Sequence, residues 1–480
     1  MRPKKSPRPD LIQKPPGKFL LKRLIEKMLV FKKELCLCAV IGIVIVTAEI
    51  FFLNINLLPG ALLVGFILYL GFSHPALNSN SRGKEYNCLV LTFLFVLFLV
   101  ITKKILDYQI PASYIPVSGL IMCVSILYKD AALSFYFAVL SACFAGILSG
   151  NSLSVTLIFF ITGMVTAIST RRLRRRIQIL SAGLFAGVAQ ALLFWMAYPQ
   201  AGLNEIAANL FNGLICAVGV TGILPLLENF FGMVTDISLL ELSDFNHPLL
   251  KKMILDAPGT YHHSIVVGNI AEAAAESIQA NSLLARIGGY YHDIGKLTSP
   301  EYFMENQKAL SKHENLSPSI SKMVIINHIK EGMELARKYR LKPVITDFIT
   351  QHHGSGLVYY FYRKALEGIE QDEKILEEGF RYPGPKPASR ETAIVLLADS
   401  VEAATRAIAE PNASRIEEVV HKVINNKFID GQLDNCDLTL KDLEKIAKVF
   451  IHMLSGIYHG RINYPESPGH TKEHHHKKHN

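Results

Sequence analysis

Seven residues in the second half of the chain, His263, His292, Asp293, His328, His352, His353 and Asp399, are of the types that hold metal ions, and their order suits two ions rather than one. At their centre lies the doublet in Tyr290-Tyr291-His292-Asp293-Ile294-Gly295-Lys296. Imidazole and carboxylate are the donors that zinc, iron and manganese accept, and one carboxylate has two oxygens with which to bridge a pair of cations. A paired centre of that kind activates water for in-line attack on phosphorus, which points to a hydrolase acting on phosphate.

His263 alone, at the start of the apolar run 264 to 278, reads as a capping or core histidine. Its company changes the reading. His292-Asp293 follow twenty-nine residues later, His328 sits in Ile325-Ile326-Asn327-His328, and His352-His353 close another apolar helix. Asp399 lies in Leu396-Leu397-Ala398-Asp399-Ser400, where a buried charge is costly unless a cation meets it. The expected partition gives His263, His292, Asp293 and Asp399 to one ion and His328, His352 and His353 to the other, with Asp293 bridging. Lys296, one turn beyond Asp293, is expected to neutralise a non-bridging phosphate oxygen, so Asp293 and Lys296 form the catalytic pair. A solvated helix-end lysine is the competing reading. Spacing leaves His262 and His263 unresolved, although adjacent helix positions point about 100° apart and only one can face the metals. His313 and the tail histidines His470, His474, His475, His476 and His479 are expected in solvent.

The elements that position these residues are helices. Half of the 480 residues are apolar, concentrated before about residue 231, so the first part reads as membrane and the second as soluble. The formal net charge of +9 does not signal a nucleic-acid polymer as partner: residues 1–33 carry eleven Lys and Arg against Asp10 and Glu26, an excess equal to that of the whole chain. Such a leader before an apolar span stays in the cytoplasm and touches anionic membrane lipid. Spans are expected at 35–53, 59–74, 88–106, 112–128, 131–149, 153–170, 178–198 and 207–227, the fourth short or fused to the fifth because Pro111 and Pro116 crowd its start. Eight spans put Arg82, Lys84, Lys129 and the arginine cluster of 171–176 inside, and only Lys103-Lys104 disagrees. Leu224-Pro225 through Gly232 reads as a helix exit, and from residue 236 to about 464 the pattern is helical, with loops at Pro258-Gly259, Ser299-Pro300 and 382–387. Six cysteines fall in apolar spans without paired spacing, so no disulfide framework or cysteine metal site is expected.

The expected fold class is therefore all-α, a polytopic membrane helix bundle followed by an all-α cytoplasmic domain. It divides into a basic leader (1–33), a transmembrane domain (34–231), a phosphohydrolase domain (232–464) and a His-rich disordered tail (465–480).

Beyond these physical signals, the chain resembles the PgpH-type seven-transmembrane HD family of bacterial cyclic di-AMP phosphodiesterases over roughly residues 59 to 462. The resemblance is carried by Leu224-Pro225 through Glu228, Leu239-Leu240-Glu241-Leu242, Ala257-Pro258-Gly259-Thr260-Tyr261-His262-His263-Ser264, His292-Asp293-Ile294-Gly295-Lys296, His352-His353-Gly354, Phe380-Arg381-Tyr382-Pro383-Gly384-Pro385-Lys386-Pro387, Leu397-Ala398-Asp399-Ser400-Val401-Glu402-Ala403, and Gly431-Gln432-Leu433 with Leu438-Thr439-Leu440. It implies an HD domain with two divalent metal ions, iron or manganese, that opens cyclic di-AMP to linear pApA. It also selects His263, which precedes the serine, over His262. Location in the cell's inner membrane with the HD domain in the cytoplasm follows, and a homodimer stays open. In the family a large external domain separates an anchor helix from seven spans; here the anchor at 35–53 runs almost directly into the span at 59, so that domain is expected to be missing and regulatory input to enter through the spans or the cytoplasmic side. A cyclic di-GMP enzyme would carry Gly-Tyr-Pro after its histidines, whereas Gly354-Ser355-Gly356 follows here. Alarmone and dNTP hydrolases leave His328, His352 and His353 unexplained, and a non-catalytic receptor predicts lost ligands.

Overall fold

The computed structural model describes residues 84–171, 173–307, 312–367 and 377–458. The basic leader, the first two expected spans with the turn joining them, and the His-rich tail lie outside the described residues. The chain divides into two compact units, one ending at Ile237 and the other beginning at Ser238. Among the described residues every regular element is helical, and the one isolated bridge pairs Leu357 with Arg381.

The first unit contains α1 (Lys84–Asp107), α2 (Val117–Tyr128), α3 (Ala131–Leu148), α4 (Leu153–Ser169), α5 (Ile177–Ala197) and α6 (Leu203–Phe230). Four of them, α1, α3, α5 and α6, are long and apolar enough to cross a membrane, while α2 and α4 are shorter. The prolines at 111 and 116 explain α2: a 3-10 turn at Ala112–Tyr114 takes up the first part of the expected span, and the helix starts only after Pro116. It is separate from α3, because Lys129 turns left-handed (φ 54°) and Asp130 then caps α3 by accepting from the Leu133 amide at 2.7 Å. Lys103, one of the two lysines that disagree with the charge rule, lies in the C-terminal part of α1 and is ion-paired to Asp107 at 2.5 Å. The exit falls within the expected segment 224–232: α6 continues through Pro225 to Phe230, and Gly232, at φ 54°, makes the turn. A proline is tolerated inside a helix whose neighbours re-satisfy the freed carbonyl, which its sequence neighbourhood alone does not reveal.

Close approach and polar pairing hold α5 to α6. A Cβ on Gly213 would lie 2.2 Å from the Gly183 carbonyl oxygen, so only glycine fits. Beside this contact three buried amides interlock: Gln190 Nε2 donates to Asn209 Oδ1 (2.9 Å) and to the Ser113 carbonyl (2.8 Å), and Asn212 Nδ2 donates to Gln190 Oε1 (3.0 Å) and the Ile115 carbonyl (3.2 Å). In hydrocarbon such groups must find partners within the protein.

The second unit follows with α7 (Asp236–Leu242, which begins just before the division), α8 (Pro248–Asp256), α9 (Pro258–Ser277), α10 (Ser282–Tyr291), α11 (Pro318–Lys338), α12 (Pro343–Gln351), α13 (Tyr359–Glu367), α14 (Arg390–Arg406), α15 (Ala413–Ile429) and α16 (Leu440–Tyr458). Its core is built on α9 and α14, which pack on each other and on α16 through Val267, Ile270, Ala274, Ile394, Leu397 and Phe450. Each helix presents a buried face to this core, and His263, Asp399 and Glu402 lie on those faces, enclosed by protein.

Candidate metal centre

Helix ends and one helix interior bring the seven residues together. The loop expected at Pro258-Gly259 is instead the first turn of α9, since a proline with preset φ and no amide fits the first helical position. His263 therefore lies within α9, 1% exposed, while His262 on the neighbouring face is exposed. His292 caps α10, and Asp293 starts the turn into a 3-10 helix at Ile294–Thr298. That turn lies directly on α11: a Cβ on Gly295 would fall 1.8 Å from the His328 carbonyl oxygen, so the glycine lets the doublet and His328 meet. His352 caps α12 with His353 next to it, and Asp399 projects from α14.

Four of the five histidines have their Nδ1 fixed. His292 Nδ1 meets the Gly289 carbonyl at 2.7 Å, His328 Nδ1 the Ile325 carbonyl at 2.6 Å, and His352 Nδ1 the carbonyls of Phe348 and Ile349 at 3.0 Å. A carbonyl only accepts, so these nitrogens carry the proton and each Nε2 turns inward as a lone pair. His263 Nδ1 is held at 2.6 Å by Glu402, itself 3% exposed. A carboxylate or carbonyl behind a ligating imidazole is the usual support of a metal site.

Two overlapping sets of donors result. His263, His292, Asp293 and Asp399 form one and Asp293, His328, His352 and His353 the other, the donor atoms within each lying no more than 4.8 Å apart. Asp293 divides its oxygens between them. Oδ1 lies 3.5 Å from both His328 Nε2 and His352 Nε2, whereas Oδ2 lies 3.1 Å from His292 Nε2 and 3.5 Å from His263 Nε2. Asp399 Oδ1 is 3.1 Å from His263, and its other oxygen is 3.6 Å from His353 Nδ1.

The arrangement fits cations on its own chemistry. His292 Nε2 and Asp293 Oδ1 are buried without a hydrogen-bond partner, a cost that a metal bond removes. His328 Nε2 and His352 Nε2 face each other at 3.1 Å, two lone pairs that repel unless a positive charge lies beside them. Burial pushes the His328 imidazole down to about 4 against the attraction of Asp293, and burial with the neighbouring His352 holds His353 well below the ordinary histidine range. Both are then neutral at pH 7, the form that ligates. Burial opposes ionisation of Asp293, but His292 and the Lys296 ammonium beside it hold it well below the usual carboxylate range. His263 behaves oppositely: burial would lower it, yet hydrogen bonds to Asp399 and Glu402 raise it to about 9.

Lys296 was expected beside Asp293, but the contacts that hold it and the site's other neighbours were not legible in the sequence. Lys296 Nζ is held between Asp293 Oδ2 (2.7 Å) and Glu305 Oε1 (2.8 Å), and it also lies over the Phe303 ring. Glu305 in turn accepts from Thr260 Oγ1 at 3.2 Å. Tyr382 stacks on His353, ring centroids 4.2 Å apart at 24°. The expectation for His313 fails. It is 6% exposed, with Nε2 at 2.8 Å from the Tyr302 carbonyl and its ring against Phe361, so it belongs to the packing of the 3-10 turns and not to solvent.

Comparison with known proteins places this geometry. Residues 50–235 match the family model described as a 7TM receptor with intracellular HD hydrolase, and residues 260–404 match that of the HD domain. The HD match together with the His and Asp clusters implies divalent-metal binding. The cyclic-di-AMP phosphodiesterase PgpH of Bacillus subtilis (strain 168) is 37% identical over 422 residues, 84% of this chain and 59% of that one. The protein of the same name from Listeria monocytogenes serotype 1/2a is 36% identical over 398 residues, 79% of this chain and 54% of its own. This chain thus spans less than two thirds of the length of either relative. The crystal structure of the L. monocytogenes PgpH HD domain in complex with cyclic-di-AMP is 46% identical and covers 45% of this chain and 100% of that chain, with a TM-score of 0.43.

Proposed function

We propose a function from one premise: the chain belongs to the family of 7TM receptors with an intracellular HD hydrolase. Its HD unit is a metal-dependent phosphodiesterase that hydrolyses cyclic di-AMP to linear pApA. Iron or manganese ions are held by His263, His292, Asp293 and Asp399 on one side and by Asp293, His328, His352 and His353 on the other. The observation that carries this reading is the division of the two Asp293 oxygens between two sets of inward-facing imidazoles. The substrate is drawn from the activity named for the two relatives.

Two divalent cations, when bound, supply a water activated at neutral pH and neutralise charge on the phosphate as the P–O bond breaks. The chain's own residues do the rest. Glu402 fixes the ring of His263, and the backbone carbonyls fix those of His292, His328 and His352, so the donors are aimed before any ligand arrives. Burial would strip Lys296 of its proton, but Asp293 and Glu305 raise its pKa above the ordinary lysine value. An ammonium has three N–H donors, and with two committed to these carboxylates the third is available for a non-bridging phosphate oxygen. Burial of six of the seven donors, with His353 partly exposed, limits screening of these charges by bulk water.

The chain lies in the cell's inner membrane, surrounded by lipid, with the HD unit on the cytoplasmic side. The basic loops at Lys129 and 171–176 support that orientation. The test is product analysis with the full chain in detergent, loaded with Mn²⁺ and given cyclic di-AMP, cyclic di-GMP and a guanosine tetraphosphate alarmone in parallel. The expected outcome is pApA from cyclic di-AMP, and loss of about 10³-fold or more of turnover in Asp293→Ala, the scale of removing a principal electrostatic group. Cyclic di-AMP bound but left intact would identify a receptor instead, and preferential cleavage of a guanine nucleotide would overturn the substrate.

A further inference from the structure

Among the described residues, several basic side chains around the site are already neutralised, and Lys427 is not. Lys296 is paired with Asp293 and Glu305, Arg381 with Glu377 (2.6 Å) and Asp430 (2.8 Å), and Lys386 with Asp434 (3.1 Å). Lys427, in the last turn of α15, has no carboxylate in contact among the described residues. It is nevertheless partly buried, and its burial disfavours the ammonium while Asp399 and Asp430, farther off, favour it. A desolvated cation without an anion is an incomplete interaction.

Its position gives the missing anion a place. Lys427 Nζ would lie 3.4 Å from a Cβ on Gly356, three residues beyond His353. The Gly356 amide donates to the His353 carbonyl at 3.0 Å, and the Gly356 carbonyl accepts from the Tyr382 amide at 2.9 Å. The ammonium therefore sits on the stretch of backbone that carries a ligand histidine and braces the tyrosine stacked on it. Asp399, which belongs to the donor cluster, is close enough to act on its charge.

A cyclic dinucleotide carries two phosphodiesters, and a single catalytic centre attacks one at a time. The other keeps a full negative charge and needs its own counter-charge. We propose that Lys427 holds this second, non-scissile phosphate, so that the site recognises a pair of phosphates rather than one. The proposal rests on the phosphodiesterase reading above. It makes Lys427 a binding residue that selects dinucleotides over simple phosphodiesters and contributes nothing to the bond that breaks.

The experiment compares two substrates on the full chain in phospholipid nanodiscs with Mn²⁺: cyclic di-AMP, with two phosphates, and bis(p-nitrophenyl) phosphate, with one. Lys427→Met is expected to raise KM for cyclic di-AMP about tenfold or more, as loss of a charge-assisted hydrogen bond does, with kcat within about threefold. The single-phosphate ester should be cleaved by the variant as by the parent, and Lys427→Arg should recover most of the lost affinity for cyclic di-AMP. An unchanged KM for cyclic di-AMP in Lys427→Met overturns the proposal while leaving the phosphodiesterase reading intact. Equal losses on both substrates overturn it too, by assigning Lys427 a structural role. A parent chain that cleaves neither substrate overturns the underlying reading, and this one with it.

Discussion

At the scale of single residues, Glu402 sets the chemistry of His263 without being one of the seven donors. Its contact with Nδ1 at 2.6 Å fixes the ring and makes it a stronger ligand. Glu402→Gln keeps the shape but removes the charge, and it should weaken metal affinity by about 10- to 100-fold, the usual effect of losing such a support. Metal titration of the purified chain, followed by residual activity, measures this; an unchanged affinity would show that the carboxylate does not tune the ring. The donors themselves stood out in the sequence because each is a polar residue in an apolar run, and the structure gathers all seven. Their supports did not. Glu402 offered a faint signal, since it lies three positions after Asp399 on the same buried helix face, but Glu305 comes from a polar segment where a carboxylate needs no explanation. Spacing left His262 and His263 open, the family resemblance selected His263 and its burial agrees, whereas His313 shows a failure, a histidine in a polar stretch that the fold nonetheless encloses.

Among elements, the decisive contact is the 3-10 turn after the doublet lying against α11. Because Gly295 meets the His328 carbonyl with no room for a side chain, Gly295→Ala must push α11 away. Overpacking of this kind costs about 1–3 kcal/mol. The displacement acts on His328 before it acts on His263 or Asp399, which come from α9 and α14. The expected result is loss of roughly one of two bound metals per chain together with activity, read by elemental analysis of the purified variant. Retention of the full metal content would show that the turn has slack. Helix existence was legible from apolar periodicity across both units, whereas the start of α9 at Pro258 was not. A proline's effect depends on whether its missing amide would have had a partner, and that is a property of helix position and neighbours rather than of the residue.

For the whole molecule, the consequence of two compact units is that ligation should stabilise only one of them. All seven donors belong to the unit beginning at Ser238, drawn from segments as distant as α9 and α14. A chelator should therefore shift one calorimetric unfolding transition downward, by an amount equivalent to about 4 kcal/mol if metal is otherwise present at a thousand times its Kd, and leave the other in place. Two transitions moving together, or neither moving, would contradict this. The charge distribution of the chain is likewise legible at this scale, since the leader carries an excess equal to the net charge. The membrane unit has a mechanical property of its own. With Gln190, Asn209 and Asn212 hooked to one another and to the backbone at Ser113 and Ile115, slipping α6 past α5 by even one residue, about 1.5 Å of rise, would strip several amides bare in a solvent that offers no substitutes. That pair of helices is latched: every hook has its eye in this one setting, and the two cannot glide past each other.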